Sequence, residues 1–311
     1  MWPMEDIDAG QAAAPELYAI GGGKGGVGKT CFAVNMAVEI ARNGWRVVLV
    51  DADLGCSNVE AMLGTEHSRR LDDFLFDTGE DGLDAVIAAT NYPNLSLVPG
   101  TTGLVDAANP RLRQKDRLIE ALPRVDADVI IIDLEAGAHL NTLDLFLMTG
   151  PNGVLVITPE KTSVDNAFKF LRAALFRKIE RFYQSPEVGM LLKRNETLGD
   201  FTRSIQASTL FGAGAKKRIC GEIVALARSL RPKVVVNRAR NAYEAQIAAN
   251  ILSRLARQDL YIKPEPLGFL FFDKHVSEAV NSGVPFIVSH PQLKVSACVT
   301  DIANRLGFMQ P

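Results

Sequence analysis

The sequence lacks several features that mark common protein classes. No stretch approaches the roughly 18 consecutive apolar residues of a membrane-spanning helix, and the first twenty residues carry acidic side chains where a secretory signal has basic ones. The four cysteines form no C-x-x-C pair, and the four histidines show no metal-ligand spacing. These absences predict a cytoplasmic protein that is neither membrane-spanning nor secreted, without a zinc site or a disulfide framework.

The composition is that of a soluble globular protein. Hydrophobic residues make up 47% of the 311 positions, charged residues 23% and aromatic residues 7%. This mixture excludes disorder, collagen and coiled coil as the main architecture. The length allows about two domains, but α/β folds often exceed 250 residues as one unit, so the domain count depends on the pattern along the chain.

Charge is distributed unevenly between the two halves. Residues 1–150 carry 11 lysines and arginines against 23 acidic residues, a net charge of −12, whereas residues 151–311 carry 23 against 13, a net charge of +10. A basic half suits an anionic partner such as nucleic acid or lipid, but basic residues also commonly solvate helix faces. Both interpretations remain open at this stage.

Short apolar segments alternate with helical patterns along most of the chain. This alternation predicts an α/β fold with a mainly parallel sheet and helices on both of its faces. Residues 1–16 have no apolar periodicity and are predicted to be a mobile leader, and residues 17–311 a single domain with a mostly helical flank at about 163–231. The predicted strands are residues 17–20, 46–51, 95–98, 129–133, 153–158 and 233–237.

A glycine-rich loop follows the first predicted strand and opens a helix. Residues 23–30 satisfy G-x-x-x-x-G-K-[ST], in which backbone N–H groups cradle phosphates. Lys29 is expected to reach the β- and γ-phosphates, and Thr30 to bind Mg²⁺. The loop therefore predicts a three-layer P-loop NTPase fold. Its expected nucleotide-binding residues are Gly23, Lys24, Gly25, Gly26, Val27, Gly28, Lys29, Thr30 and Cys31.

Three aspartates lie at the ends of predicted strands. Asp51 and Asp53 follow the second strand, and Asp133 ends the strand at 129–133. Carboxyl ends of parallel strands border the crevice in which α/β proteins bind ligands, and Mg²⁺ needs only one or two carboxylates besides phosphate. We expect a magnesium site here.

The loop contains a second lysine, Lys24, which makes the sequence recognisable. KGGVGKT resembles the deviant Walker A motif of the MinD/ParA class of P-loop ATPases, and VVLVDADLG is similar to the switch I strand of that class. Longer segments, including ADVIIIDLEAGAHLNTLDLFL and PLGFLFFDKHVSEAVNSGVPFIV, resemble the FlhG/FleN branch, which regulates flagellar number and placement. The class motifs are specific, whereas the branch assignment rests on background similarity.

The resemblance implies catalytic roles for three residues. Lys24 matches the signature lysine, which reaches the phosphates of the partner subunit in an ATP-sandwich dimer. Lys29 matches the phosphate lysine of the same subunit. Asp53 matches the second aspartate of D-x-D, which positions the attacking water.

It also implies a metal set and a base contact. Asp51 matches the first aspartate near the metal and Asp133 the Walker B aspartate, so that Thr30, Asp51 and Asp133 are the expected Mg²⁺ residues. Asn237 lies where this family often recognises adenine, although an asparagine after a strand also forms turns.

The sequence departs from the branch pattern at two places and is unlike MinD at a third, its C-terminus. Glu135 replaces a glycine in D-L-G-A-G, and its carboxylate either needs an offsetting partner such as His139 or turns outward. The activation motif of the family, D-Q-A-x-x-L-R, is not evident in residues 1–16. An interaction with a flagellar GTPase through that motif is therefore not expected. No basic amphipathic segment follows the apolar helix predicted from Leu293 to Leu306, so membrane binding is expected to be weak or indirect.

The leading functional hypothesis is an Mg²⁺-dependent ATPase whose ATP-dependent homodimer sets the number or placement of a cellular structure such as the flagellum. A protein partner on the helical flank is favoured, with DNA as the alternative, and the location is cytoplasmic or peripheral at the inner membrane or cell pole. Other candidates are a MinD- or ParA-like positioning ATPase for another cargo and a kinase or ATP-dependent ligase on the same fold. Electron transfer like that of nitrogenase reductase would need paired cluster cysteines, which Cys56 and Cys220 do not match.

Overall fold

The computed structural model describes residues 14–55, 57–76, 82–101 and 112–309. Most of the predicted leader, residues 1–13, lies outside this part of the chain. The predicted leader ends one residue too late, because Glu16 already begins the first strand. The backbone N–H of Glu16 donates to the Asp128 carbonyl at 2.9 Å.

Eight strands form one sheet. They are β1 Glu16–Gly21, β2 Val47–Ala52, β3 Ala88–Ala89, β4 Leu95–Val98, β5 Val129–Leu134, β6 Gly153–Ile157, β7 Lys233–Ala239 and β8 Glu265–Phe271.

Thirteen α-helices lie in the described part of the chain. They are α1 Lys29–Arg42, α2 Val59–Leu63, α3 Leu71–Phe76, α4 Leu112–Ala121, α5 Leu140–Met148, α6 Lys161–Tyr183, α7 Pro186–Lys193, α8 Leu198–Ala207, α9 Ala213–Ser229, α10 Ala242–Leu260, α11 His275–Ser282, α12 Phe286–Ser289 and α13 Lys294–Arg305. Short 3₁₀ turns occupy 83–86, 122–124 and 150–152.

The sheet has the order β3-β4-β2-β5-β1-β6-β7-β8, and only β3 runs antiparallel to its neighbour. The chain first builds the sheet on one side of β1 and later crosses to the other side with β6. Ligands of such sheets bind outside the carboxyl ends of the strands, where the strand order reverses. The topology therefore places a crevice above β1, β5 and β2.

Helices cover both faces, which gives the three-layer α/β fold that the sequence predicts. Helices α1 and α13 pack together on one face, and α5, α6 and α10 pack on the other. Two large apolar clusters fill the layers between the sheet and its helices. The fully buried strands β2, β5 and β6 read as continuous apolar segments because helices cover both of their sides.

All six predicted strands are present, but β3 and β8 escaped prediction. The two-residue strand β3 is too short for a pattern, and β8 contains Pro266 and Gly268, which disfavour strands. Pro266 is tolerated because β8 is an edge strand paired only with β7.

Four helices, α6 to α9, connect β6 to β7 in the region predicted to be mostly helical. The apolar positions of α6 are mostly buried, but Phe182, one residue before the helix ends, is 50% exposed. None of the helices in the described ranges has the length and hydropathy needed to cross a lipid bilayer.

Candidate functional site

The glycine loop joins β1 to α1 and requires glycine at two positions. Gly26 and Gly28 have φ angles of 75° and 89°, in the left-handed region that side chains rarely adopt. A Cβ atom on Gly28 would also lie 2.3 Å from Nδ2 of Asn237. The loop conformation therefore depends on these glycines, as expected for a phosphate-binding turn.

The loop also packs closely against α6 and the segment after β5. A Cβ atom on Gly23 would lie 2.2 Å from the carbonyl oxygen of Asn166 on α6. The backbone N–H of Gly137 donates to the Gly22 carbonyl at 3.0 Å. Both contacts fix the loop over the crevice.

The side chains of Val27, Lys29 and Cys31 are more enclosed than their exposed loop would suggest. Val27 belongs to the apolar core, so only its backbone is available for a ligand. Lys29 is 6% exposed. Burial raises the pKa of the Cys31 thiol to about 12, so this side chain stays neutral near the site.

Lys24 points away from the other loop lysine and contacts the start of α6. Its Nζ donates to Thr162 Oγ1 at 3.3 Å and lies 3.5 Å from Glu160 Oε2. The side chains of Lys24 and Glu160 are 32% and 62% exposed. Within its own subunit Lys24 thus contacts the start of α6, and its proposed role across a dimer stays a prediction.

Asp51 is buried at the carboxyl end of β2. Its carboxylate accepts hydrogen bonds from Ser57 Oγ at 2.6 Å, from the Val59 N–H at 3.2 Å and from the Asp53 N–H at 3.2 Å. Burial raises its pKa to about 6 even though these bonds act in the opposite direction. Asp51 therefore organises the turn after β2 and keeps a carboxylate inside the crevice.

Asp133 lies beside Asp51, because the two residues are register partners on the neighbouring strands β5 and β2. It is fully buried, and within the described part of the chain neither carboxylate oxygen has a hydrogen-bond partner. Burial and the nearby Asp51 carboxylate raise its pKa to about 8. Thr30 and Lys29 act in the opposite direction, although the Thr30 hydroxyl does not meet hydrogen-bond geometry.

Unpartnered buried carboxylate oxygens are costly, and a bound cation would satisfy them. In the described ranges, no three histidine, cysteine or acidic side chains are placed to hold a metal ion together. Mg²⁺ suits this setting, because it commonly takes one or two carboxylates and completes its shell with water and phosphate. Thr30, Asp51 and Asp133 thus fit a magnesium–nucleotide better than a protein-only metal site.

Asp53 and Glu135 both approach Gly55 at the mouth of the crevice. A Cβ atom on Gly55 would lie 3.8 Å from Asp53 Oδ1 and 3.6 Å from Glu135 Oε1. Burial raises the pKa of Glu135, and the His139 ring, 3.9 Å from its carboxylate, acts in the opposite direction. Of the two alternatives for Glu135, the structure thus favours a crevice position beside His139 over an outward one.

Asn237 supports the glycine loop from β7. Its Nδ2 donates to the Val27 carbonyl at 2.8 Å, and its Oδ1 accepts from the Arg238 N–H at 2.8 Å. Arg238 follows with a positive φ of 58°. Asn237 therefore has a structural function in the loop and turn, and adenine recognition stays a prediction.

The structure adds residues that sequence reasoning missed. Ser57 holds Asp51, Glu160 and Thr162 hold Lys24, and Asn166 abuts Gly23. The segment PEKTS follows β6 at the same sheet edge as the loop, and that position was the available signal for Glu160 and Thr162.

Known proteins share parts of this sequence. The antiactivator FleN of Pseudomonas aeruginosa is 31% identical over 183 residues, which cover 56% of this chain and 64% of FleN. The septum site-determining protein MinD of Synechocystis sp. is 35% identical over 155 residues, which cover 49% of this chain and 56% of that MinD. The chain thus spans about half to just under two thirds of the length of these relatives.

The fold extends over a larger part of the chain. The MinD of Pyrococcus horikoshii, solved with Mg-ADP, superposes with a TM-score of 0.63 at 20% identity and covers 94% of this chain and 96% of its own. The sequence profile of the CobQ/CobB/MinD/ParA nucleotide binding domain matches residues 18–286, which include the glycine loop, all three crevice aspartates and Asn237. With the loop, the strand ends and the sheet order all in agreement, the chain belongs to the CobQ/CobB/MinD/ParA nucleotide-binding domain family.

Proposed function

We propose that this protein is an Mg²⁺-dependent ATPase whose ATP-bound form dimerises and whose hydrolysis reverses dimerisation. The observation that carries the proposal is the buried Asp133, whose two oxygens have no partner beside a glycine loop with a buried lysine. A buried carboxylate without a hydrogen-bond partner is stabilised by a cation, and the backbone N–H groups of a glycine loop at a helix start bind phosphate. A magnesium–nucleotide satisfies both.

Each crevice residue has a proposed task. Lys29 and the backbone N–H groups of residues 23–30 bind the phosphates, while Thr30, Asp51 and Asp133 hold the metal. Bound Mg²⁺ neutralises charge on the phosphate oxygens. Asp53 orients the attacking water, and Asn237 is the proposed adenine contact. Hydrolysis is expected to be slow, because Asp53 is the only strong base proposed for the water.

Lys24 has the proposed task of joining two subunits. Lys29 already supplies the cation for the phosphates of its own loop, while Lys24 reaches outward to Glu160 and Thr162 on the protein surface. A charge-assisted bond to the nucleotide of a second subunit would replace this partly exposed pair. This exchange would couple ATP binding to dimerisation.

Two variants test the proposal. Lys24→Ala should bind ATP but remain monomeric, whereas Asp53→Ala should bind ATP, dimerise and fail to hydrolyse it. Calorimetry measures nucleotide binding, light scattering after size exclusion measures the dimer, and phosphate release measures hydrolysis. A Lys24→Ala protein that dimerises normally with ATP would contradict the dimer model, and full hydrolysis by Asp53→Ala would remove the proposed role of Asp53.

The cellular role proposed here is control of the number or placement of a structure such as the flagellum. Similarity to the antiactivator FleN supports this role. Similarity to a septum site-determining MinD supports a second candidate, a positioning ATPase for another cargo or for the division site. Proteins that co-purify with the Asp53→Ala dimer, but not with monomeric Lys24→Ala, would distinguish the two candidates.

A protein partner on the helical flank is favoured over DNA and over a membrane. Residues 161–240 carry 17 lysines and arginines against 6 acidic residues. However, Arg177 and Arg181 bind the buried Asp144, and Lys178 is half-buried, so these three cations are less available to a polyanion than the sequence indicates.

The surface ranking can be tested with the Asp53→Ala dimer. We expect weak liposome co-sedimentation, and DNA binding, if present, that requires ATP and disappears with salt. Strong ATP-dependent binding to liposomes at physiological salt would reverse the ranking in favour of a membrane surface.

A further inference from the structure

A second cavity lies at the end of the molecule opposite the glycine loop. Helix α5 starts just after the crevice segment 135–139, and α6 starts beside Lys24. The far ends of both helices, together with the end of α9, enclose a cavity of about 460 Å³. We call it the basal cavity. It lies outside the proposed nucleotide site, at one end of the helical flank.

Apolar side chains form much of the wall of the basal cavity. Leu147, Met148 and Leu226 line it, each partly exposed, and the half-exposed Phe182 stands at its rim. A cavity with this lining can accept an aromatic or long aliphatic side chain.

The charged residues on the wall differ in their partners. Asp144 is the only carboxylate among the lining residues, and it already binds Lys115, Arg177 and Arg181. Lys178 also lines the cavity, and its hydrogen bond goes to a neutral hydroxyl, Ser229 Oγ, at 2.8 Å. Burial lowers the pKa of Lys178, as expected for an ammonium group that has no carboxylate partner among the described residues. The cavity therefore combines apolar walls with a cation that favours an anionic ligand.

The beginning of this chain has the complementary chemistry. Residues 1–13 contain no lysine, arginine or histidine, and they carry Glu5, Asp6 and Asp8 interleaved with Trp2, Met4 and Ile7. The family match covers residues 18–286, so this acidic apolar segment lies outside the matched region.

The segment joins the fold next to the basal cavity. Strand β1 begins at Glu16 and contacts the 150–152 turn, whose first residue, Gly150, lines the cavity. The charge of Glu16 acts on Lys233, whose Nζ bonds the Pro151 carbonyl at 2.8 Å. Residues 9–15 can span up to about 23 Å, so residues 1–8 can reach the cavity from this point.

We propose that residues 1–8 dock into the basal cavity of the same chain, with Trp2, Met4 or Ile7 against the apolar wall and the acidic side chains near Lys178. The docked segment covers the exposed Phe182. It also supplies the carboxylate that Lys178 lacks, in a charge-assisted bond.

Fluorescence of Trp2 tests the docking in the full chain. The protein has two tryptophans, and Trp45 packs edge-on against Phe308 at 5.6 Å, so Trp45→Phe keeps an aromatic ring there and leaves Trp2 as the single reporter. We expect blue-shifted emission and slow acrylamide quenching compared with a free peptide of residues 1–13. Emission and quenching equal to those of the peptide would overturn the proposal.

Charge reversals identify the site. In the Trp45→Phe background, Lys178→Glu should lower the ratio of docked to free segment about tenfold or more. Lys169→Glu, an exposed reversal on the same helix about 13 Å away, should leave it unchanged. Adding E5K and D6K to K178E should restore the shielding of Trp2. Equal effects of the two reversals, or no restoration by the charge swap, would contradict docking at Lys178.

The dependence on protein concentration distinguishes docking within one chain from docking between two copies. Docking within the chain predicts that the shielding of Trp2 is independent of protein concentration. Shielding that increases with concentration would show that a second copy provides the segment and would overturn the proposal as stated. Circular dichroism and thermal unfolding of each variant establish that the fold is intact.

Discussion

Two buried aspartates on successive elements of the fold have opposite surroundings. Asp133, at the end of β5, has two oxygens without hydrogen-bond partners, and burial raises its pKa to about 8. Asp144, in α5, binds Lys115, Arg177 and Arg181, and these cations outweigh burial and lower its pKa to about 2. The exposed fractions are 0% and 1%, so burial alone does not distinguish them.

The difference lies in which partner the protein supplies. Around Asp144 the chain provides its own cations, and removing one partner of such a network is costly. Around Asp133 the described residues supply no hydrogen-bonded cation, so the charged carboxylate is costly in the ligand-free fold and a cation brought with a ligand would stabilise it. The first aspartate is therefore the one that we assign to the proposed ligand site, whereas the second belongs to the framework.

The largest expected effect separates the two buried lysines. Lys29→Ala should abolish nucleotide binding, because a desolvated triphosphate would lose its main cation in the subunit, while the fold is retained. Lys115→Ala should have the opposite effects: it should destabilise the fold and leave nucleotide binding intact. Lys115 is 4% exposed, and its ammonium group binds the Asp144 carboxylate. Calorimetry with Mg-ATP and thermal unfolding measure both. Unchanged ATP affinity in Lys29→Ala would defeat the nucleotide assignment.

The next effect is on stability. Asp144→Asn should lower the free energy of unfolding by about 3–5 kcal/mol, because the buried Lys115 loses its hydrogen-bonded carboxylate and keeps only the more exposed Asp116, 3.6 Å away. Asp133→Asn should leave the metal-free protein as stable as the original or more so, because it removes an uncompensated carboxylate. Urea unfolding in the presence of a chelator measures both. If the two variants lose equal stability, the contrast between the two aspartates fails.

The third effect is on the pH dependence of stability, to which Asp133 and Asp144 should contribute in opposite directions. The folded protein holds the Asp133 proton up to a pKa of about 8, whereas the ordinary value is 3.8, so stability should fall as the pH rises between these values. The lowered pKa of Asp144, about 2, gives stability that is lost as the pH falls below about 4.

Thermal unfolding without nucleotide or metal, over this pH range, measures both slopes. Asp133→Asn should flatten the loss at high pH, although Asp51, with its pKa raised to about 6, keeps part of it. Asp144→Asn should flatten the loss at low pH. A high-pH slope that is identical in the original protein and in Asp133→Asn would show that Asp133 is not the titrating group.

The glycine loop and the aspartates at the strand ends could be predicted from the sequence, because both are recognised from local patterns. The G-x-x-x-x-G-K-T pattern and the aspartates after apolar strands need only a few neighbouring residues, and the parallel sheet follows from strand and helix alternation. The Asp144 network was missed because Lys115 and Arg177 come from distant parts of the chain. For the same reason, the sequence alone could not show that Arg177 and Arg181 bind Asp144. Contacts such as Lys24 with Glu160 also depend on how β6 pairs with β1 and could not be read from composition.

The smallest expected effect concerns a charge pair that is neither buried nor unpartnered. Glu160→Gln removes the carboxylate that lies 3.5 Å from Lys24, and both side chains are at least partly exposed. Exposed pairs contribute about 0–1 kcal/mol, so the variant should shift ATP-dependent dimerisation by no more than about fivefold, towards the dimer, because Lys24 is released. Asp165→Asn, an exposed neutralisation on the next turn of α6, is the matched control and should leave the equilibrium unchanged. Light scattering across a concentration series measures the shift. Weaker dimerisation of Glu160→Gln would mean that Glu160 supports Lys24 in the dimer instead of competing with it.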